Sequence, residues 1–302
     1  MRWKGRRVSS NVEDRRGGGG AKAGGISIVG LIVAFVAWKF LGVDPQQAYQ
    51  TTKQVTSGLS SSTETRGLDN PTPEQQESID FVGTVLADTE DTWNQVFQSQ
   101  LNQQYVAPKL VLFNGSVNSA CGAAESAMGP FYCPGDQKVY IDTAFFKDMR
   151  NQMGITGEQN ATELSRDDQA GDFALAYVVA HEVGHHIQTL LGISSQVQQA
   201  RQQANKVQGN QLSVRQELQA DCFAGVWAYH NHERTQFLEQ GDVQEAMDAA
   251  HKIGDDYLQK RATGHVVPDS FTHGTSAQRV QWFNTGLKSG QMSACDTFKQ
   301  GV

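Results

Sequence analysis

Two histidines and a glutamate lie close together in the segment His181-Glu182-Val183-Gly184-His185, and their types and spacing suit metal chemistry. The surrounding sequence, DFALAYVVAHEVGHHIQTLLG, has apolar residues at helical spacing, which predicts a helix. Because residues four apart lie on one face of a helix, His181 and His185 can offer imidazole nitrogens to one zinc ion. Glu182 lies beside that face, where it can accept a proton from a water that the metal activates. This is the HExxH pattern, and it indicates metal-assisted hydrolysis of peptide bonds.

A zinc site of this kind needs a third protein ligand. One class of HExxH proteins places Gly and His three and six residues after the second His, but Gln188 and Leu191 occupy those positions and exclude that class. The alternative is a glutamate on a second helix, and SVRQELQADCFAGVWAYH has helical periodicity. Within it, Glu217 and Asp221 are four apart and share a face. We predict Glu217 as the third ligand and Asp221 as the hydrogen-bond acceptor that fixes a ligand histidine, with a solvated acidic pair as the alternative.

Hydrolysis of this type also uses a donor aimed at the oxyanion of the tetrahedral intermediate. His273, in SFTHGTSAQR, lies in a glycine-containing turn just before a helix start marked by Thr275 and Ser276. We predict His273 as this second catalytic residue. A capping turn without a catalytic role is the alternative.

The charge distribution separates the first residues from the rest of the chain. The first 40 residues hold eight Lys or Arg and two Asp or Glu, whereas the whole chain has a net charge of −7. The strongly acidic remainder argues against nucleic-acid binding. Residues 26–43 are apolar apart from Ser27 and Lys39, and a helix of this length is about 27 Å long, near the minimum for crossing a bilayer.

The basic residues before this apolar segment predict its orientation. The positive-inside rule places residues 1–25 in the cytoplasm as a basic tail, with residues 26–43 as a single transmembrane helix of a bacterial inner membrane. Residues 44–73 are rich in Gln, Ser and Thr and are predicted as a linker. Residues 74–302 would then form a periplasmic or otherwise extracytoplasmic catalytic domain. A cleaved signal peptide is the rival interpretation of the apolar segment.

Four cysteines support the extracytoplasmic location. Their number is even, so three pairings are possible, and none of them has the spacing of a zinc ribbon. Cys121 with Cys133 would close a short loop, and Cys222 with Cys295 would attach the last segment to the Glu217 helix. Disulfides persist in oxidising compartments. Four buried free thiols are the alternative.

The order of local patterns predicts an α+β domain, mostly helical with a small antiparallel or mixed sheet, of the zincin metalloprotease kind. Thr72-Pro73-Glu74 opens an amphipathic helix, and strand-like segments follow at 109–113, 129–133 and 138–142. From Ser195 onward the chain is predicted as almost entirely helical. The Gln-rich residues 196–208 are predicted as an exposed helix or flexible lid.

The chain also resembles the bacterial neutral zinc metallopeptidases, the YpfJ-like proteins, along its whole length. The resemblance is carried by MRWKGRR…NVEDRRG, SACGAAESAMGPFYCPGDQKVYID, HEVGHHIQ, ELQADCFAGVWA and THGTSAQRV. The later half is also similar to the wider gluzincin group, in particular the Ste24/HtpX-like membrane peptidases. That likeness implies the same ligands, base, partner carboxylate and stabilising histidine, but the wider group has Pro where this chain has Gly274.

Together these patterns predict a membrane-anchored zinc endopeptidase acting on envelope proteins or peptides. A sheet edge, in residues 118–124 or the Phe131 strand, would bind the substrate as an added strand. The rival is a non-catalytic protein of the envelope, a zinc-stabilised scaffold or a tethered interaction protein. An intact Glu182 argues against it, since a structural zinc site has no use for a general base and usually closes with a fourth protein ligand.

Overall fold

The computed structural model describes residues 1–17, 70–125, 129–145 and 171–299. The predicted membrane segment at 26–43 and nearly all of the predicted linker lie outside these residues. Within the described ranges, no helix combines the length and the apolar character that a membrane crossing requires. The chain divides into two units, one of Met1–Glu13 with Asn70–Val302 and one of Asp14–Asp69. Of the second unit only residues 14–17 are described, where Arg16 folds back onto Asp14.

The first unit is mostly helical, which confirms the predicted α+β class. Its helices are α1 (Pro73–Val96), α2 (Asp172–Leu190), α3 (Ile193–Gln203), α4 (Lys206–Thr235), α5 (Asp242–Lys252), α6 (Asp255–Thr263) and α7 (Ser276–Ser289). A π-helical turn extends α1 over Phe97–Leu101, and 3₁₀ turns occupy Pro268–Ser270 and Met292–Cys295.

The strands are short and form two separate sheets. They are β1 (Val12–Asp14), β2 (Lys109–Phe113), β3 (Ser116–Ser119), β4 (Gly122–Glu125), β5 (Phe131–Cys133) and β6 (Lys138–Asp142). One sheet has the order β1-β2-β6-β5, with β2 parallel to β6 and β5 antiparallel to it. The other is the antiparallel hairpin β3-β4. The predicted mixed sheet is therefore present, and β5 is its last strand.

Helix α1 begins where the sequence predicts it. Thr72 and Gln75 form a reciprocal capping box, and Pro73 occupies the first helical position, where its missing N–H costs nothing. Val82, Val85 and Leu86 are fully buried at helical spacing. The apolar face of α1 is therefore core, as expected.

Helices α4 and α7 cross at a glycine on each side. A Cβ on Gly225 would overlap the Phe283 carbonyl, and a Cβ on Gly286 would overlap the Cys222 carbonyl. The two backbones therefore pack in direct contact. This contact fixes where α7 presents its first turns to the centre of the molecule.

Two disulfides link Cys121 with Cys133 and Cys222 with Cys295. The predicted presence of disulfides is therefore confirmed, the structure selects one of the three possible pairings, and no cysteine is free among the described residues. The first ties the hairpin loop to β5, and the second ties the C-terminal 3₁₀ turn to α4. The predicted lid corresponds to α3, which is exposed apart from Val197 and a few partly covered residues, and to the start of α4.

The first 13 residues pack within the unit that contains α2, the helix of His181 and His185, and α4. The sequence predicts a separate basic tail over residues 1–25, whereas the structure buries Trp3 in the core of this unit. The Trp3 indole Nε1 donates a hydrogen bond to Asp172, the first residue of α2, at 2.9 Å. An apolar ring among charged neighbours therefore serves as a core residue.

Candidate metal centre

Helix α2 lies in the centre of the fold and is buried along most of its length. It packs against α1, α4 and α5. Gly184 lies where α2 meets α4, and a Cβ at that position would lie 2.9 Å from the carbonyl oxygen of Ala220. The glycine between the two histidines therefore permits the close approach that brings α4 next to them.

Three donor groups from these two helices meet at one point. The Nε2 atom of His181 is 3.2 Å from Oε2 of Glu217, and Nε2 of His185 is 3.4 Å from Oε1 of the same carboxylate. One ligand atom from each residue lies within 4.8 Å of the others. In a tetrahedral zinc site with bonds of about 2.0–2.2 Å, ligand atoms are roughly 3.3–3.6 Å apart. The three side chains therefore fit a zinc ion without rearrangement of the backbone.

The other nitrogen of His181 is held by a buried carboxylate. Its Nδ1 lies 2.8 Å from Oδ1 of Asp221, which is fully buried. Arg279 donates to both oxygens of Asp221, at 2.8 and 2.9 Å, and the hydroxyl of Tyr177 donates to Oδ1 at 2.5 Å. Asp221 thus keeps Nε2 of His181 directed at Glu217, and Arg279 compensates the carboxylate charge.

The other nitrogen of His185 has a different partner. Its Nδ1 lies 2.9 Å from Oε1 of Gln188, which is fully buried. The neutral amide of Gln188 thus occupies, for the second histidine, the position that a carboxylate occupies for the first.

Opposing effects set the charge states of this cluster. Burial lowers the pKa of His181, but the charge of Asp221 and the hydrogen bonds with Asp221 and Glu217 together raise the pKa to about 10. Burial raises the pKa of Glu217, yet His185 and His181 hold that pKa well below its ordinary value. The metal-free cluster therefore retains a proton that a divalent cation must displace, so that metal binding would release protons.

The two predicted catalytic side chains have different surroundings. Glu182 is buried on α2, beside the metal-facing histidines. His273 lies on the loop before α7 with half of its side chain exposed, and its Nδ1 is 3.2 Å from Oδ1 of Asp255. Asp255 also accepts the backbone N–H groups of Thr272, His273 and Gly274. The hydrogen bond to Asp255 raises the pKa of His273, and the charge of Glu217 contributes in the same direction.

The sequence did not reveal three members of this arrangement. No sequence pattern gives a role to Arg279 or Asp255, and Gln188 only excludes a third histidine ligand. The signal for Gln188 was its position three residues after a ligand histidine, where side chains on a helix meet. No local signal existed for Arg279 and Asp255, because they reach their partners across 58 and 18 residues of sequence.

Comparison with known proteins places the chain in a family. Residues 1–298 match the family described as "Putative neutral zinc metallopeptidase", and the chain belongs to it. YpfJ of Escherichia coli K12 is 46% identical over 312 residues that cover 100% of both chains. Rv2575 of Mycobacterium tuberculosis H37Rv is 39% identical over an alignment of 272 positions that covers 85% of this chain and 84% of the relative. Both relatives are described as uncharacterized proteins, and no solved structure matches the chain.

Proposed function

We propose that this protein is a zinc-dependent endopeptidase in which His181, His185 and Glu217 hold the metal. The observation that carries the proposal is the meeting of these three groups beside a buried glutamate, Glu182. When bound, zinc supplies a Lewis acid that polarises the scissile carbonyl and lowers the pKa of water. The family to which the chain belongs implies the same metal.

The remaining chemistry belongs to side chains of the protein. Glu182 takes the proton of the attacking water and passes it to the leaving amine. His273, oriented by Asp255, donates toward the oxyanion of the tetrahedral intermediate. These roles agree with the proposed distant kinship to the Ste24/HtpX-like peptidases.

The substrate in this proposal is a protein or peptide bound as an added strand. Strand β5 is the last strand of its sheet and packs against α2. The hydroxyl of Tyr132 on β5 is 3.0 Å from Nδ1 of His186, the neighbour of a ligand. An extended peptide paired with β5 would therefore run alongside the metal-binding helix.

The catalytic domain is proposed to work outside the cytoplasm, on envelope proteins or peptides. Two disulfides in the described residues indicate an oxidising compartment. Attachment to the membrane through residues 26–43 completes the proposal, and those residues lie outside the described part of the chain.

The test compares purified full-length wild type with Glu182→Gln, using labelled casein and envelope proteins as substrates and measuring zinc content in parallel. Glu233→Gln, on the exposed side of α4, is the matched control. We expect Glu182→Gln to retain zinc and lose cleavage, and Glu233→Gln to retain both. Equal cleavage by all three proteins would reject the catalytic role. Zinc binding without cleavage by any of them would favour the scaffold alternative.

A further inference from the structure

The amide of Gln188 has an orientation that its neighbours determine. Its Nε2 lies 2.7 Å from the backbone carbonyl of Gln216, and a carbonyl can only accept a hydrogen bond. The nitrogen side of the amide therefore faces Gln216, and the oxygen side faces His185. Because that oxygen can only accept, Nδ1 of His185 must carry a hydrogen, which leaves Nε2, the nitrogen nearer Glu217, as the atom that can bind a metal.

A second glutamine extends the chain of amides. The Nε2 atom of Gln188 also lies 3.1 Å from Oε1 of Gln219, and Nε2 of Gln219 donates to the carbonyl of Cys295 at 3.0 Å. This second backbone carbonyl fixes the orientation of Gln219 by the same argument. Cys295 is itself bound covalently to Cys222, on the same helix as Gln219.

We infer that Gln188 and Gln219 form an amide relay that positions the zinc ligand His185 and is fixed by the Cys222–Cys295 disulfide. Gln188 sets the tautomer of His185, Gln219 holds Gln188, and the disulfide holds the carbonyl to which Gln219 donates. The two ligand histidines are thereby positioned differently, one by a charged network and the other by neutral amides. This inference rests on the proposed zinc site.

The test measures the zinc dissociation constant by chelator competition, together with the melting temperature of each metal-free protein. Gln188→Met keeps the shape and removes the acceptor, and we expect it to raise the dissociation constant about 10–100-fold. Gln219→Met leaves the bond to His185 in place and should raise it less. The double variant should have the same zinc dissociation constant as Gln188→Met alone, because Gln219 acts on His185 only through Gln188. Gln188→Glu retains an acceptor and should bind zinc more tightly than Gln188→Met.

The disulfide supplies a matched pair of variants. Replacing both Cys222 and Cys295 by Ala should weaken zinc binding, whereas replacing both Cys121 and Cys133 should leave it unchanged. An unchanged dissociation constant in Gln188→Met, or additive effects of the two glutamine variants, would overturn the relay. Failure of the wild type to bind zinc would instead reject the proposed function.

A second inference concerns the N-terminal arm, residues 1–13. The arm contacts several parts of the catalytic unit. Trp3 packs edge-on against Phe81 of α1, with 5.3 Å between the ring centroids. The backbone N–H of Ser9 donates to the carbonyl of Gly83 at 2.9 Å. A Cβ on Gly83 would overlap Val8, so α1 has a glycine where the arm crosses it.

Polar contacts of the arm are equally specific. Arg6 donates to the buried Asp88 at 2.6 Å, and Leu110 of β2 donates its N–H to the carbonyl of Asn11 at 2.9 Å. Together with the bond from Trp3 to Asp172, these contacts join the arm to α1, α2 and the sheet. None of them can form across the hydrocarbon core of a bilayer, which is about 30 Å thick.

We also infer that the N-terminal arm and the catalytic helices lie on the same side of the membrane. This replaces two expectations from the sequence, the cytoplasmic tail facing an extracytoplasmic domain and the single crossing by residues 26–43. One crossing between residues 13 and 70 would place the arm and the catalytic helices on opposite sides of the membrane. The positive-inside rule considers only the charges that flank an apolar segment, whereas Arg6 and Arg7 of this chain form ion pairs with Asp88 and Glu90 of α1.

Cysteine labelling of the full-length protein in Escherichia coli tests the topology. Ser10→Cys on the arm and Ser195→Cys on α3 are both exposed positions. With a maleimide that does not cross the inner membrane, we expect both to be labelled in intact cells whose outer membrane is permeable. Labelling of Ser195→Cys alone before lysis would overturn the inference. Labelling of both only after lysis would support the shared side and reject the proposed extracytoplasmic location.

Discussion

The buried ion pair of Asp221 and Arg279 allows the effect of a substitution on the free energy of unfolding to be predicted. Both side chains are buried, and two charge-assisted hydrogen bonds join them at 2.8 and 2.9 Å. Asp221→Asn keeps the shape of the side chain but leaves the guanidinium without its compensating charge. Breaking a buried pair in this way costs about 3–5 kcal/mol. We therefore expect the free energy of unfolding of the metal-free protein to fall by about that amount.

A double-mutant cycle separates this pair from a general loss of packing. Arg279→Met should also destabilise the protein, because it removes two hydrogen bonds and a neighbouring positive charge from the buried Asp221 carboxylate. The double variant should lose much less than the two single losses together, because neither charge then remains uncompensated. Asp221→Asn should additionally weaken zinc binding about tenfold or more, since His181 loses its carboxylate partner.

Urea denaturation of the metal-free proteins at pH 7, followed by both fluorescence and circular dichroism, measures these free energies. Zinc affinity is measured separately by chelator competition. A loss below about 1 kcal/mol in Asp221→Asn, or additive losses in the cycle, would refute the assignment of Arg279 as the compensating charge.

Three further predictions concern packing, pH and the metal. Gly286→Ala should lower the free energy of unfolding by about 1–3 kcal/mol, because the added methyl forces α7 away from α4. Gly209→Ala, where the added methyl meets open space, should raise the free energy of unfolding by about 0.5–1 kcal/mol. Urea denaturation measures both values. Burial and the charge of Asp242 raise the pKa of Glu245 in the folded protein to about 7, above its ordinary value of 4.5. The favourable contribution of Glu245 to folding stability is therefore complete below pH 4.5 and is lost as the pH rises through 7. Glu245→Gln should therefore gain in melting temperature over wild type at pH 8 but not at pH 4.5, and equal differences at both pH values would contradict this. Removal of zinc with phenanthroline should lower the melting temperature, and added zinc should restore it. When the free zinc concentration is about a thousand times the dissociation constant, zinc should stabilise the folded protein by about 4 kcal/mol. Zinc should stabilise Glu217→Ala much less.

The sequence was most informative where the contacts are local. The four-residue spacing of the two histidines, and of Glu217 and Asp221, placed each pair on one helix face, and the structure brings the first three together. The meeting of the two helices depends on their tertiary packing, in which Gly184 permits the close approach. A zinc site is therefore readable from short patterns, because helix geometry determines the relative positions of its ligands.

Long-range partners could not be obtained in the same way. The pairing of the cysteines was one of three possibilities until the fold brought Cys222 to Cys295. The basic residues of the arm have the composition of a cytoplasmic flank, and only the fold shows Arg6 paired with Asp88. In both cases the pairing depends on which parts of the chain the fold brings together, and this cannot be predicted from the composition of a segment.

The most direct test of the account is the coordination of zinc in the full-length protein, measured by X-ray absorption at the zinc edge for wild type and Glu217→Ala. We predict that zinc in the wild type has two imidazole nitrogens, one carboxylate and one non-protein oxygen as ligands, and that the carboxylate is missing in the variant. A sulfur ligand, a fourth protein group on the metal, or an unchanged spectrum in Glu217→Ala would contradict it.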